Sequence, residues 1–144
     1  MSARKLRLFH RLQLAAHHIQ KSADKETKTA VDLTTSQAAV LSVLANGEGH
    51  TQRDIAKALG QNESAVTSMV NRLLKAGYLN RKRNPADTRA WNLQLTSNGR
   101  TALQATRQPF GKINRIIENE LSKEEVSQLA DYLERLSSAF RAEG

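Results

Sequence analysis

The chain has 144 residues, 39% of them hydrophobic, and a formal net charge of +8 at pH 7, which suits one domain with a buried core. It contains no cysteine, so disulfides, thiolate metal sites and cysteine nucleophiles are excluded. No apolar run approaches the ~18 residues of a membrane span, and no signal-peptide core is present, so a cytoplasmic protein with no membrane partner is expected.

The positive charge is concentrated in two parts of the chain. Residues 1–30 carry seven Lys and Arg against two Asp and Glu, and residues 50–100 carry nine against three. Residues 101–144 carry six against seven. A basic surface can serve solubility alone, but this uneven distribution favours a localised patch and a polyanionic partner.

Two helices are predicted in the first third of the chain. Residues 4–21 have apolar side chains at spacings of three and four, which is typical of an amphipathic helix. The polar segment that follows either extends this helix or links it to the next. Thr34 and Gln37 have capping-box spacing, and they open a second helix that ends near Gly47.

A helix-turn-helix arrangement is predicted next. Thr51 caps a short helix that ends at Gly60, and Asn62 caps a longer helix that ends at Gly77. The longer helix carries a wide apolar stripe for the core. After the turn signal Asn84-Pro85, apolar and polar residues alternate, which predicts a two-stranded hairpin and makes the arrangement a winged one.

The last part of the chain is predicted to be helical. Thr96 opens a long helix in which Pro109 should cause a kink or a split, at a cost of ~3 kcal/mol in an ordinary helix interior. Ser122 and Glu125 form another capping box before the final helix. The fold class is therefore mainly α with a small β-hairpin wing: a winged helix-turn-helix lobe plus a helical domain built from the N- and C-terminal helices.

Three segments carry a combined pattern: LTTSQAAVLSVLANGEGHTQRDIAKALG, NESAVTSMVNRLLKAGYLNR and NPADTRAWNLQLTSNGR. The third combines an Asp-x-Arg wing tip, Asp87 and Arg89, with a Leu-Thr-x-x-Gly entry into the next helix. From Leu33 to Gly99 the chain therefore resembles the MarR family of bacterial transcription regulators. The flanking helices match the family in length and pattern.

The resemblance implies a homodimer that binds a pseudo-palindromic operator in double-stranded DNA. It implies an N-terminal dimerisation helix at 1–32, a winged helix-turn-helix DNA-binding lobe at 33–99 and C-terminal dimerisation helices at 100–144. It also implies a repressor that is released when a small aromatic or anionic ligand binds between the lobe and the dimerisation domain. The long apolar faces of the terminal helices agree with a dimer, although an intramolecular bundle would also bury them.

The residues predicted to bind DNA belong to three elements. Polar residues of the longer helix suit the major groove, with a solvated face as the alternative. The start of the short helix suits a phosphate, although Arg53 could instead pair with a nearby carboxylate. The wing tip suits a narrow minor groove, and the resemblance assigns to Asp87 the orientation of Arg89. The set is Gln52, Arg53, Asn62, Ser64, Thr67, Ser68, Asn71, Arg72, Arg83, Asp87 and Arg89.

Two features of the wing remain open in the sequence. Arg81, Lys82 and Arg83 alternate in direction along a strand and cannot all face DNA. We favour Arg83 as the backbone contact and leave to Arg81 a bracing role through an internal ion pair. Trp91 is expected to pack against the wing rather than to stack on a base.

Catalysis, cofactors and metals are not expected. The chain has no Gly-rich phosphate loop, nucleophile motif or paired carboxylates in a turn, so an enzyme is not predicted. His10 and His17 share a face of the first helix beside His18, which would suit a metal or pH sensor, but they lack further partners and are expected at a dimer interface. The residues guessed to line a ligand pocket are Phe9, Gln13, His17 and Arg107.

The alternative function is an RNA-binding or protein-interaction winged-helix module without a ligand response. Aromatic residues make up only 4% of the chain, which leaves few platforms on which single-stranded bases could stack. An arginine-rich wing is difficult to explain by protein contact alone. Duplex DNA is therefore the expected nucleic acid.

Overall fold

The computed structural model describes residues 7–47 and 51–143, except for the side chains of Asn84, Asp87 and Thr88. The predicted start of the first helix, at residues 4–6, lies outside the described residues. The elements in chain order are α1 Leu8–Val31, α2 Thr35–Ala45, α3 Gln52–Leu59, α4 Glu63–Lys75, β1 Leu79–Asn84, β2 Asp87–Leu95, α5 Ser97–Ala105, α6 Arg107–Glu120 and α7 Lys123–Glu143. The predicted fold class, mainly α with a hairpin wing, is confirmed.

Side-chain caps begin the helices at the predicted positions. In each case the side-chain oxygen accepts a hydrogen bond from the backbone N–H three residues later. At three of the caps, the side chain of that later residue also accepts a hydrogen bond from the backbone N–H of the cap residue. These bonds satisfy N–H groups that the first turn of a helix leaves without a partner. The caps are Thr34, Thr51, Asn62, Thr96 and Ser122.

The polar segment after the first predicted helix extends that helix. α1 continues to Val31 because one row of its side chains faces the rest of the lobe, where Ala23 and Thr27 are buried. The Asp24 carboxylate accepts hydrogen bonds from the backbone N–H and the hydroxyl of Thr35, both at 2.7 Å. The second half of α1 is therefore fixed to the start of α2.

Pro109 splits the predicted long helix. α5 ends at Ala105 and α6 begins at Arg107, so Pro109 is the third residue of the new helix. A proline is tolerated there because the N–H group that it lacks would have no partner within the helix. The hydroxyl of Thr106, at the junction, donates to the Leu103 carbonyl at 2.6 Å.

The chain divides into two compact units, Met1–Phe110 and Gly111–Gly144. The core of the first unit joins α2, α3, α4, the hairpin and α5, and its members are Leu33, Val40, Leu41, Leu44, Ile55, Ala56, Val66, Val70, Leu73, Leu79, Leu93, Leu95 and Ala102. In the second unit, α7 has no buried residue. The predicted division at 1–32, 33–99 and 100–144 stays a prediction.

Candidate nucleic-acid interface

A tight turn joins the two helices of the helix-turn-helix. Gly60 ends α3 in the left-handed conformation, with φ 64°, and Asn62 caps α4 two residues later. Ile55 on α3 and Val66 and Val70 on α4 are buried. The apolar stripe of α4 is thus committed to the core, and its polar stripe lies on the surface of the lobe.

Two hydroxyl groups on the polar stripe of α4 donate within the protein. Ser64 donates to Asn62 Oδ1 at 2.9 Å, and the same oxygen accepts the Ala65 N–H at 2.9 Å. The oxygen of the Thr67 hydroxyl lies 2.8 Å from both Gln52 Oε1 and the Glu63 carbonyl oxygen, and these two acceptors share its one proton. The side chain of Gln52 is therefore tied to α4 across the turn.

Three more of the predicted DNA-binding residues lie exposed on α4, namely Ser68, Asn71 and Arg72. Arg72 is nine residues beyond the first residue of the helix, which is about 13 Å along the axis. In a helix that enters a groove by its N-terminal turns, such a position lies near the phosphate backbone rather than the base edges.

A cleft of about 470 Å³ brings α3, α4 and the wing together. Of the predicted residues, Gln52, Arg53 and Arg89 share it, and the two guanidinium side chains are exposed. The N-terminus of α3 opens into the same cleft, so its partial positive charge adds to that of the arginines. The sequence did not identify the remaining lining residues, which are Thr51, Glu63, Ala90 and Trp91.

The hairpin register decides which basic residues of the wing share a face. Arg83 pairs with Trp91 and Arg81 pairs with Leu93, whereas Lys82 pairs with Asn92. Directly paired residues project on the same side of a sheet, so Arg81 and Arg83 lie on one face and Lys82 on the other. The register shifts after Arg83, close to the hairpin turn.

Trp91 packs against the wing, as expected, and both arginines of its face contact it. The Cζ atoms of Arg83 and Arg81 lie 4.4 Å and 5.0 Å from the centroid of the indole ring. The ion pair suggested for Arg81 stays a prediction. The Asp87 side chain is outside the described part of the chain, so its predicted hold on Arg89 stays a prediction.

The guessed ligand residues are not gathered in one cavity. Phe9, Gln13 and His17 follow one another at intervals of four on α1 and are exposed. Arg107 instead borders a cavity of about 190 Å³ that is lined by Ala45, Leu95, Arg100, Leu103 and Gln104. The ligand site therefore stays a prediction.

Neither a metal cluster nor a membrane helix is found in the described parts of the chain. Within residues 7–47 and 51–143, His, Cys, Asp and Glu do not form a group of three or more that could hold a metal ion. In the same ranges, every helix is too short or too polar to cross a membrane.

Solved structures of other proteins share this fold. The structure matches that of MepR of S. aureus in complex with DNA, with a TM-score of 0.84 and 27% identity, over 92% of this chain and 97% of that one. The family model of the MarR family matches residues 31–90. Over these residues, which run from the end of α1 into the wing, the chain is similar to the MarR family.

Two further relatives are named as transcriptional regulators. A putative transcriptional regulatory protein for the hcr operon of Thauera aromatica is 30% identical over 75% of this chain and 65% of its own length. The PcaV transcriptional regulator of Streptomyces coelicolor, solved with its natural ligand, has a TM-score of 0.76 and 27% identity, over 87% of this chain and 90% of its own. The chain spans 62% to 72% of the length of the curated relatives it matches. The predicted resemblance to the MarR family is confirmed over residues 31–90, and these relatives are named as transcriptional regulators.

Proposed function

We propose that this protein belongs to the MarR family and binds double-stranded DNA in a sequence-specific manner as a homodimer. The observation that carries the proposal is the cleft in which Arg53 of α3 and Arg89 of the wing flank the start of α4. The two cations can contact phosphates, and the polar face of α4 can contact base edges. Contacts to phosphates supply affinity and position, and contacts to base edges supply specificity.

Each element has its own role in the proposed complex. The N-terminal turns of α4 enter the major groove, where Ser64, Thr67 and Ser68 reach base edges. Gln52 and Arg53 bind a phosphate at the N-terminus of α3. Arg89 at the wing enters the minor groove, which attracts arginine where A·T-rich sequence makes it narrow.

A second copy of the chain covers the exposed apolar side chains of the terminal helices. On α1 these are Leu8, Phe9, Leu12, Leu14 and Ile19, and on α7 they are Leu129, Tyr132, Leu133, Leu136 and Phe140. Large apolar side chains exposed in this number are typical of a protein interface. Two-fold symmetry then presents two α4 helices to half-sites ~34–36 Å apart or a multiple of it, with residues 1–32 and 100–144 forming the dimerisation domain.

The regulator is proposed to repress, and to release DNA when a small aromatic or anionic molecule binds. Support comes from PcaV, a structural relative that was solved with its natural ligand. Such a protein acts by occupancy of DNA, so the proposal includes no catalytic step and no cofactor. It places the protein in the cytoplasm, where bacterial DNA is found.

Selection of bound fragments from the source genome tests this function. The purified protein is mixed with sheared genomic DNA, and the retained fragments are sequenced. The best fragment is then labelled and titrated with protein, with competition by the unlabelled duplex, by each single strand and by RNA of the same sequence. We expect competition by the duplex alone and an inverted repeat in the selected fragments. Preference for RNA would favour the RNA-binding alternative, and binding to no nucleic acid would favour a protein-interaction module.

A further inference from the structure

Trp91 is the only tryptophan of the chain, and it lies between the cleft and two arginines. Its side chain is 38% exposed and lines the cleft together with Gln52 and Arg53. The guanidinium groups of Arg81 and Arg83 both approach its ring, with Cζ atoms 5.0 Å and 4.4 Å from the centroid. Two cations thus share one aromatic ring at the edge of the proposed DNA interface.

The register of the hairpin produces this arrangement. Arg83 is directly opposite Trp91, and Arg81 is two residues earlier on the same face, opposite the buried Leu93. Like charges at neighbouring positions on one face of a sheet repel each other. The negative face of an indole ring attracts both cations and offsets that repulsion.

We propose that Trp91 is a positioning residue that holds Arg81 and Arg83 as a preformed phosphate-binding pair on the wing. The proposal rests on the proposed binding of double-stranded DNA. A phosphate contact immobilises the long side chain of an arginine, and prior restriction by the ring lowers the entropy lost at that step. An aromatic ring contacts the guanidinium plane, whereas phosphate oxygens bind the N–H groups at its edge, so both contacts are compatible.

A double-mutant cycle measured on duplex affinity tests the positioning role. The variants are Trp91→Ala, Arg83→Gln and the double variant, and the matched set replaces Arg83→Gln by Lys82→Gln, which removes the neighbouring cation on the opposite face. We expect Trp91→Ala to weaken binding about 3- to 30-fold, the range of a partly desolvated cation–π contact. In the double variant, the affinity lost should be smaller than the product of the fold-losses of Trp91→Ala and Arg83→Gln alone. The fold-losses of Trp91→Ala and Lys82→Gln should instead multiply.

Two further measurements distinguish a positioning role of Trp91 from a general loss of structure in its variants. Trp91→Phe keeps an aromatic face and should restore most of the affinity that Trp91→Ala loses. In the parent protein, Arg83→Gln should reduce the steepness of the salt dependence by about 0.9 per lost phosphate contact. In the Trp91→Ala background the reduction should be smaller. Thermal unfolding of every variant identifies any that fails to fold, in which case the Trp91→Phe set carries the test.

Fluorescence of Trp91 tests the contact without DNA. Iodide is an anionic quencher and acrylamide a neutral one, so the two arginines should attract iodide to the ring. The ratio of iodide quenching to acrylamide quenching should therefore be higher in the parent protein than in the Arg81→Gln/Arg83→Gln variant. Equal ratios in the two proteins would overturn the contact. Multiplicative effects of Trp91→Ala and Arg83→Gln, with duplex binding intact in the parent protein, would overturn the positioning role and leave the proposed function standing. A parent protein that binds no duplex would overturn the proposed function and the positioning role together.

Discussion

The carbonyl oxygen of Tyr78 occupies the place that a side chain on Gly99 would need, since an ideal Cβ atom built there would meet it well inside 3.0 Å. Thr96 secures the same junction, because its hydroxyl donates to the Gly77 carbonyl at 2.6 Å and its N–H donates to the Tyr78 carbonyl at 3.1 Å. The end of α4 is therefore bound to the start of α5. This is the physical reason for the Leu-Thr-x-x-Gly pattern.

Gly99→Ala should destabilise the fold by about 1–3 kcal/mol, the usual cost of overpacking. The obstacle is backbone at Tyr78, which cannot rotate away as a side chain would. Gly111→Ala is the matched control, since its Cβ would meet nothing nearer than Arg115 Nη1 at 3.6 Å, and we expect a gain of about 0.5–1 kcal/mol there. Urea unfolding of both variants measures the two free energies. Equal midpoints for Gly99→Ala and the parent protein would contradict the packing argument.

Asp24→Ala should lower the free energy of unfolding by about 1.5–3 kcal/mol, because the N–H and the hydroxyl of Thr35 both lose their charged acceptor. Asp24→Asn should cost less, since the amide oxygen can still accept. Thr29→Ala is a control on the same helix, where an exposed hydroxyl donates to the Lys25 carbonyl at 2.8 Å, and a small change is expected. A similar loss in all three variants, measured by thermal unfolding, would argue against a specific Asp24–Thr35 contact.

Arg89→Ala should weaken duplex binding by about 1–3 kcal/mol if the wing makes a good groove contact. Fluorescence anisotropy with the selected duplex measures this loss at moderate salt. Arg141→Ala removes the same charge from α7, where Arg141 pairs with Glu134 at 3.1 Å and both side chains are 69% exposed. That control should leave affinity unchanged. Unchanged affinity in Arg89→Ala would remove the wing tip from the interface.

Duplex affinity should fall steeply as salt concentration rises. Each neutralised phosphate contributes a slope of about −0.9 to the dependence of log affinity on log salt. Arg53→Gln should reduce the slope by about one phosphate and weaken binding equally on different sequences. The measurement is a series of titrations between low and physiological salt on two duplexes. A flat response would show that phosphates do not dominate the complex.

Leu133→Asp should raise the dissociation constant of the dimer, because it places a charge on the apolar face of α7, where the leucine is 43% exposed. Ser127→Asp introduces the same charge about 120° around the helix from it and should have little effect. Sedimentation equilibrium at micromolar concentration compares the two. A monomeric parent protein would refute the dimer, and identical masses for both variants would exclude this face from the interface.

Local features of the chain were predictable from the sequence. A cap such as Asn62 and an apolar stripe such as that of α4 depend on residues only three or four positions apart, and those spacings are visible in a single sequence. The effect of Pro109 was predictable for the same reason. These features were sufficient to predict the fold class.

Features that depend on distant residues were not predictable. The extension of α1 depends on Asp24 reaching Thr35, and the bond from Thr67 to Gln52 spans 15 positions. The pairing of Arg83 with Trp91 depends on the hairpin register, and an irregularity near the turn helps to set that register. Most residues of the candidate site could be predicted from the sequence, but the contacts that orient their side chains could not.

The hydrogen bonds that Ser64 and Thr67 donate within the protein have a consequence for the choice of operator. With their protons engaged by Asn62, Gln52 and the Glu63 carbonyl, these hydroxyls would present only lone pairs to the major groove in the proposed complex. Lone pairs match the exocyclic amines of adenine and cytosine, and they discriminate against the acceptor-only edge of guanine. Adenine and cytosine, which carry an amino group on their major-groove edges, are therefore expected opposite the first turns of α4.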